Sequence, residues 1–169
     1  MSLCDSGAVD GPTCLNIDEY YDVSVPCFKS FAELYIQITQ IEKELVAFQD
    51  NLNSIYFGAG ETDFKLEPKH CSPGSYVAAK FTEDNTWYRA LVLKRTSPSL
   101  INVRFIDYGN TEEVSIFKTK KLHEKLKQLP PFAHRCKLTG LSTIVALDPE
   151  QCAMCDAEVS NSHIVAKCG

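Results

Sequence analysis

The sequence predicts a mainly β chain with one long helix, in which a small, strongly bent antiparallel barrel follows the helix. Three observations predict it. Strand signals crowd together between residues 75 and 116, each separated from the next by turn residues, with no helical stretch among them. One segment, beginning near Thr39, changes the spacing of its apolar residues from two to three and four. Ahead of it, apolar and polar residues alternate over two short runs, which marks two further strands outside the barrel.

In chain order, residues 1–19 hold Gly, Pro, Ser, Asp and Cys without a period and are expected to be a flexible lead-in. Over 22–28, Val23 and Val25 alternate with polar neighbours, and Leu34, Ile36 and Ile38 then alternate with Tyr35 and Gln37. Ile41, Leu45, Phe48, Leu52 and Ile55 share one helical face and place a helix at about 40–56. Thr39 followed by Glu42 fits a capping box, and Gly58 and Gly60 stand where a helix can end. A connector rich in Gly, Glu, Lys and Pro covers 58–73. Strands are expected at 75–81, 87–94, 100–107 and 111–116, joined by Glu83-Asp84-Asn85, Ser97-Pro98-Ser99 and a tight Gly109-Asn110 turn. Leu122, Leu126 and Leu129 repeat at four and three, so the lysine-rich run 118–127 predicts a helical turn, closed by Pro130-Pro131. A strand over 132–141 is expected to return toward the first segment; beyond Ser142 the pattern weakens and shows no clear element.

The bulk properties narrow the function classes. At 169 residues the chain can bury one full core, or two small modules sharing one. It is 44% hydrophobic and 23% charged, as in soluble globular proteins. No apolar run approaches the ~20 residues that span a bilayer, so no membrane contact is expected. Residues 1–10 show neither a basic n-region nor an apolar h-region; a cytosolic chain is expected, with a nuclear one as the alternative. In that setting the eight cysteines are reduced thiols, serving as small buried hydrophobes or, where clustered, as metal ligands. A net charge of −5 weighs against binding a phosphate backbone and suits a cationic ligand. There is no Gly-rich phosphate loop, nucleophile elbow or His-Glu-x-x-His pair, and His70, His123, His134 and His163 lie far apart in sequence. Neither catalysis nor a cofactor is expected.

The feature that carries chemistry is a concentration of aromatics at strand ends: Phe81, Trp87, Tyr88, Phe105 and Tyr108. The face of each ring attracts a cation by ~0.5–1 kcal/mol when exposed and ~2 kcal/mol or more when desolvated. Methylating a guanidinium removes donors and adds apolar surface, so a ring cage favours the methylated form, while an amide such as Asn110 accepts from a remaining N–H. On spacing alone, the alternative is that these aromatics simply fill the barrel.

Residue order adds to this. The strings Val77-Ala78-Ala79-Lys80-Phe81, Asp84-Asn85-Thr86-Trp87-Tyr88-Arg89-Ala90 and Val103-Arg104-Phe105-Ile106-Asp107-Tyr108-Gly109-Asn110 closely resemble the Tudor family, in particular the extended Tudor domains of germline proteins. The likeness covers 74–114. It implies a Tudor SH3-like bent barrel inserted in a staphylococcal-nuclease-like, OB-type half. Residues 20–57 would be the first part of that half with its linker helix, 68–127 the barrel, and 130–143 the return strand, leaving 144–169 unassigned. Pro131-Phe132-Ala133-His134-Arg135-Cys136-Lys137-Leu138 resembles the start of the second part. Residues 144–169 do not resemble its continuation, which leaves open an incomplete nuclease-like half, through a fragment or an altered C-terminus. In the family, four aromatic walls and an asparagine hold methylated arginine; here they fall on Phe81, Tyr88, Phe105, Tyr108 and Asn110. Trp87, next to a wall, is expected to point to the opposite face and pack. Asp107 is expected to fix its turn through nearby backbone N–H groups. Phe105 and Tyr108, three positions apart, meet in one cage only if the chain turns at about 107–109, which Gly109 permits.

The resemblance implies a non-enzymatic methylarginine reader. It would bind symmetrically dimethylated arginine in Arg-Gly or Arg-Ala segments of Piwi-type partners, gathered in cytoplasmic germ granules (nuage) for small-RNA silencing of transposons. RNA would be met only indirectly. One rival is RNA or single-stranded nucleic-acid binding through the OB-type half, helped by Lys118, Lys120, Lys121, Lys125 and Lys127. Another is a scaffold binding unmethylated peptide. A residual nuclease is opposed by the lack of an acidic metal-binding cluster in the nuclease-like segments. In the tail, Cys152, Cys155, His163 and Cys168 are of zinc-ligand type, but the gap from Cys155 to His163 is longer than in the usual knuckle, and no metal is expected.

Overall fold

Two antiparallel sheets and one long helix make up the computed structural model, which describes residues 15–16, 18–58, 64–67, 70–138 and 164–167. The first sheet starts with β1 (Tyr20–Ser30) and β2 (Glu33–Ile38), the strands expected ahead of the helix. Val23 and Val25 are buried in alternation, but the next core residue of β1 is Phe28, one position out of phase. The β1–β2 register shifts between Ser24 and Cys27, around Pro26, which has no N–H to give a ladder. A bulge there turns the rest of the strand over by one residue.

A 3-10 turn, Thr39–Ile41, leads into α1 (Glu42–Phe57). The expected capping box does not form. The Thr39 hydroxyl donates instead to the Asp22 carbonyl of β1, 3.1 Å away, and Ile41 at the N-cap makes no side-chain cap bond. Leu45, Phe48 and Leu52 are buried as the period requires; Tyr56 joins them, with Ile41 and Ile55 half-buried beside them. Gly58 caps the helix in right-handed conformation, its N–H bonded to the Ser54 carbonyl, while Gly60 lies outside the described residues.

The second sheet has the order β6-β5-β4-β3-β7. It comprises β3 (Tyr76–Lys80), β4 (Trp87–Arg95), β5 (Leu100–Phe105), β6 (Thr111–Ser115) and β7 (Thr119–Lys121). The first four answer the expected strands. The helical turn predicted over 118–127 forms only at α2 (Glu124–Lys127); Lys118 ends a 3-10 turn, and β7 takes residues 119–121 and pairs with β3. Leu122 and Leu126 are buried, but Leu129 is 45% exposed, so the leucine spacing does not describe one helix face. A bulge between Val92 and Lys94 bends β4 across the sheet. Val77, Ala79, Ala90, Val92, Ile101, Val103, Phe105 and Val114 fill the barrel interior. On the sheet's other face, Ala78 and Trp87 pack with Leu45, Phe48, Leu52 and Tyr56 of α1.

Hydrogen bonds fix α1 in place. Gln49 Nε2 donates to the Trp87 carbonyl (2.6 Å), and Asn53 Oδ1 accepts from the Trp87 N–H (2.9 Å). The Tyr56 hydroxyl donates to the Lys121 carbonyl and accepts from the His123 N–H, both at 2.9 Å. Burial pushes its phenol up to about 12.

The chain then returns to the first sheet. β8 (His134–Cys136) pairs with β2, and β9 (Ile164–Lys167) pairs with β1, giving the order β8-β2-β1-β9. β8 falls within the strand expected at 132–141. β9 lies in the tail that the sequence left unassigned: four residues are too few to show a period, and pairing with the outer edge of β1 defines them.

Candidate functional site

The aromatic lining of the barrel continues past the ends of its strands. Along β4, Trp87 faces α1 while Tyr88, Ala90 and Val92 face the barrel interior, as the pleat requires. Tyr88 thus stands at the end of the interior row, and β3 and β5 bring Phe81 and Phe105 to the same place. The ring centroids of Phe81 and Phe105 are 5.4 Å apart, those of Tyr88 and Phe105 5.7 Å, and those of Phe81 and Tyr88 6.2 Å. Tyr108 adds a fourth ring, 5.4 Å from Tyr88 and perpendicular to it. All four contacts lie between 71° and 90°, so the rings meet as the sides of a box rather than a stack. Phe105 is 2% exposed and belongs to the barrel core; Phe81, Tyr88 and Tyr108 are half-buried around it.

Phe105 and Tyr108 reach one box because the chain turns immediately after Phe105. The N–H groups of Tyr108 and Gly109 both point back to the Phe105 carbonyl, at 3.2 and 2.7 Å, and the Phe105 N–H donates to the Asn110 carbonyl. The turn spans 106–108, so the connection is longer than a two-residue Gly109-Asn110 hairpin. Gly109 has φ +93°, and an added Cβ would overlap the Tyr35 ring of β2, which packs directly against it. Gln37 of β2 donates from Nε2 to the Asp107 carbonyl (2.5 Å). The Tyr35 hydroxyl accepts from Arg104 Nη1 at 3.2 Å. The first sheet therefore grips the loop that carries Tyr108 and Asn110.

Asp107 holds that loop from below, and not through nearby backbone N–H groups as its position predicts. It is 1% exposed, and its carboxylate takes two parallel bonds from Arg89, Nε to Oδ2 at 2.9 Å and Nη2 to Oδ1 at 2.6 Å. Its Oδ1 also accepts from the Phe132 N–H. Arg89, fully buried, donates further to the carbonyls of Leu126, Leu129 and Pro130, and its guanidinium lies 4.4 Å over the Phe48 ring. All five of its N–H donors are engaged. Sequence reasoning missed this pair. The available signal was a lone charge in the apolar run from Trp87 to Leu93, which needs a buried counter-charge.

Asn110 differs in kind. Its Oδ1 is buried and has no hydrogen-bond partner among the described residues. A buried acceptor left unpaired costs ~1–3 kcal/mol, so this oxygen is open to a donor. Asp84 supplies charge at the same end of the barrel, accepting the Tyr88 hydroxyl hydrogen at Oδ2 (2.6 Å). Burial raises the Tyr88 phenol above its usual range, and the Asp84 bond and charge raise it further. Burial, with the charges of Asp107 and Asp84, pushes Tyr108 up to about 12. Both phenols stay neutral at physiological pH. The arrangement suits a cation with apolar substituents that keeps at least one N–H.

Two sequence-level alternatives fare differently. Cys152, Cys155, His163 and Cys168 lie outside the described residues; within those residues, no three His, Cys, Asp or Glu side chains gather as a metal site. The five lysines of 118–127 are divided among a 3-10 turn, β7 and α2. Lys120 sits 5.7 Å over the Trp87 ring, and Lys127 pairs with Glu124 at 2.9 Å. Among the described residues no helix is long and apolar enough to cross a membrane.

Comparison with known proteins places this geometry. The Tudor domain family matches residues 15–140. Mouse "Tudor domain-containing protein 6" is 34% identical over 128 residues, 73% of this chain, and medaka (Oryzias latipes) "Tudor domain-containing protein 1" is 30% identical over 141 residues, 83% of the chain. The chain spans only 6% and 12% of the lengths of these relatives. Among solved structures, the human TDRD1 extended Tudor domain in complex with a symmetrically dimethylated peptide superposes with a TM-score of 0.80 at 26% identity. That match covers 94% of this chain and 79% of the other. The TD3 extended Tudor domain of mouse TDRD1, in complex with a MILI peptide containing dimethylarginine, gives 0.78 at 26% identity, over 92% and 79%.

Proposed function

Because the chain belongs to the Tudor domain family, we propose that it reads symmetrically dimethylated arginine in Arg-Gly or Arg-Ala segments of partner proteins. The family is one of reader domains, typically non-catalytic. The observation that carries the reading is the box of Phe81, Tyr88, Phe105 and Tyr108 with the unpaired Asn110 Oδ1 beside it. A symmetrically dimethylated guanidinium keeps one N–H on each terminal nitrogen and carries one methyl on each. The rings take the methyls and the delocalised charge, and Asn110 accepts one N–H. Support for the modified residue comes from similar extended Tudor domains solved with symmetrically dimethylated or dimethylarginine-containing peptides.

The partners proposed are Piwi-type proteins, in line with the MILI peptide bound by the mouse TDRD1 domain. The setting proposed is the cytoplasmic germ granule, where such a module would scaffold small-RNA silencing of transposons. Ordering a disordered peptide offsets much of the interaction energy, so affinity should be about micromolar, near −8 kcal/mol. The test is calorimetric titration with one Arg-Gly peptide in unmodified, asymmetric and symmetric dimethyl forms. Tightest binding of the symmetric form, lost in Phe81→Ala and Tyr108→Ala, is expected. Equal binding of all three forms, or no effect of either substitution, sinks the reading.

A further inference from the structure

We infer that Asp84 is a positioning residue of this site: its carboxylate holds the Tyr88 ring through that ring's hydroxyl, and its charge biases the box toward a cationic occupant. The inference rests on the methylarginine reading and adds to it a residue outside the five expected from the sequence.

Geometry carries it. Asp84 lies in the turn between β3 and β4, and the turn itself orients its carboxylate. Oδ1 accepts from the Thr86 N–H (2.8 Å), while Oδ2 accepts from the Tyr88 hydroxyl (2.6 Å). The turn is closed by Phe81 N–H to Thr86 carbonyl (3.0 Å) and by Asn85 N–H to Phe81 carbonyl (2.9 Å), with Asn85 left-handed at φ +57°. One short loop therefore places one ring, Phe81, and through Asp84 the orientation of a second.

Charge is the independent observation. Asp84 is exposed, and no salt bridge neutralises it among the described residues, whereas Asp107 is buried and fully paired. An unpaired carboxylate bonded to a ring hydroxyl acts on a cation in two ways. Its field attracts the cation directly. The charge-assisted O–H···O⁻ bond also draws the phenolic proton outward, which enriches the ring face in electron density and strengthens its attraction for a cation. Burial is the main cause of the raised phenols of Tyr88 and Tyr108, and the Asp84 charge adds to both.

The experiment uses the full chain and the symmetric dimethylarginine Arg-Gly peptide, titrated at about 20 mM and about 300 mM salt, where screening differs several-fold in length. Asp84→Asn removes the charge but keeps a hydrogen-bonding group at both positions: its Oδ1 still accepts from the Thr86 N–H, and its Nδ2 donates to the Tyr88 hydroxyl oxygen. It should weaken binding ~3- to 10-fold at low salt and by less than about 2-fold at high salt, with an unchanged melting temperature. Asp84→Ala, lacking the hydrogen-bonding group as well, should lose a further few-fold that salt does not erase, and Tyr88→Phe should show that same salt-insensitive part. Wild-type-like binding of Asp84→Asn at both salts overturns the inference. So does a loss of equal size at both salts, which would mean a purely structural role. If the wild type itself does not prefer the methylated peptide, the functional reading fails and takes this inference with it. If it does and Asp84→Asn is neutral, this inference fails alone.

Discussion

Strand β4 divides two surroundings that treat carboxylates in opposite ways. On the α1 side, Arg89 and Asp107 are buried with every donor of the guanidinium placed, two on the carboxylate and three on carbonyls. At the open end of the barrel, Phe81, Tyr88 and Tyr108 are half-buried, Asn110 Oδ1 has no partner among the described residues, and Asp84 is exposed without a counter-ion there. Both lie next to a single loop, 105–110, which buries the Asp107 carboxylate on Arg89 and sets the Tyr108 ring between Tyr88 and the α1-side cluster. The lesson is that a buried charge with every donor placed marks scaffold, while half-buried rings beside an unpaired acceptor and an uncompensated carboxylate suit a ligand. Neither half suffices alone. The Arg89–Asp107 pair fixes the loop whose other side forms the box.

The largest expected effect breaks the saturated side. Arg89→Ala leaves a buried carboxylate without its partner and should cost about 3–5 kcal/mol in chemical denaturation. Arg89→Met with Asp107→Leu should recover part of that loss, since removing both charges also removes the desolvation penalty. If Arg89→Ala unfolds no more easily than wild type, the contrast between the two sides is wrong. Next comes the junction. Gly109→Ala combines a left-handed φ with overlap on the Tyr35 ring and should destabilise by about 2–3 kcal/mol. Its peptide affinity should fall as well, because Tyr108 and Asn110 ride on the same loop; affinity unchanged at reduced stability would separate loop from box.

On the unsaturated side, Tyr108→Ala should lose about 1–2 kcal/mol of affinity for the methylated peptide while costing far less stability than Arg89→Ala. The smallest effect concerns His134. It is 1% exposed, sits opposite Ile36 in the β2–β8 ladder, and neither ring nitrogen has a partner among the described residues. Burial holds its pKa below the usual 6.5. Unfolded chains therefore take up its proton first as pH falls. The contribution is complete above about pH 6.5 and is lost as pH drops toward the folded value, at no more than about 1.4 kcal/mol per pH unit. His134→Leu should flatten this acid slope, measured as denaturation midpoints from pH 7 to 5. His134 also sharpens the comparison: an unpaired polar atom alone does not mark a site, since His134 lacks the ring box that surrounds the end of β4.

Much of this was legible in the sequence, element by element. Alternation located β1 and β2, because a strand's two faces write a period of two over a few residues, and strand-type runs between turn residues located β3 to β6. The helix face Leu45, Phe48 and Leu52 was legible for the same reason, and the pleat placed Trp87 on the packed side of β4. The family pattern named five positions, and the structure brings four of their rings together with Asn110 on the loop beside them. What stayed hidden depended on partners far along the chain. Thr39 has the chemistry of a cap, but β1 offered its hydroxyl a carbonyl. The lysine run has leucines at helical spacing, but β3 offered residues 119–121 an edge.

By itself, then, the sequence determined the periods, the turn chemistry and the residue types at the end of the barrel, since these are properties of neighbours within a few positions. Tertiary structure alone decided that Arg89 and Asp107 close one side, that Tyr35 seals Gly109, that β9 joins β1, and that Asp84 bonds Tyr88. Each of these is a contact whose energy exists only when two elements meet, and no local period records which partner will be there.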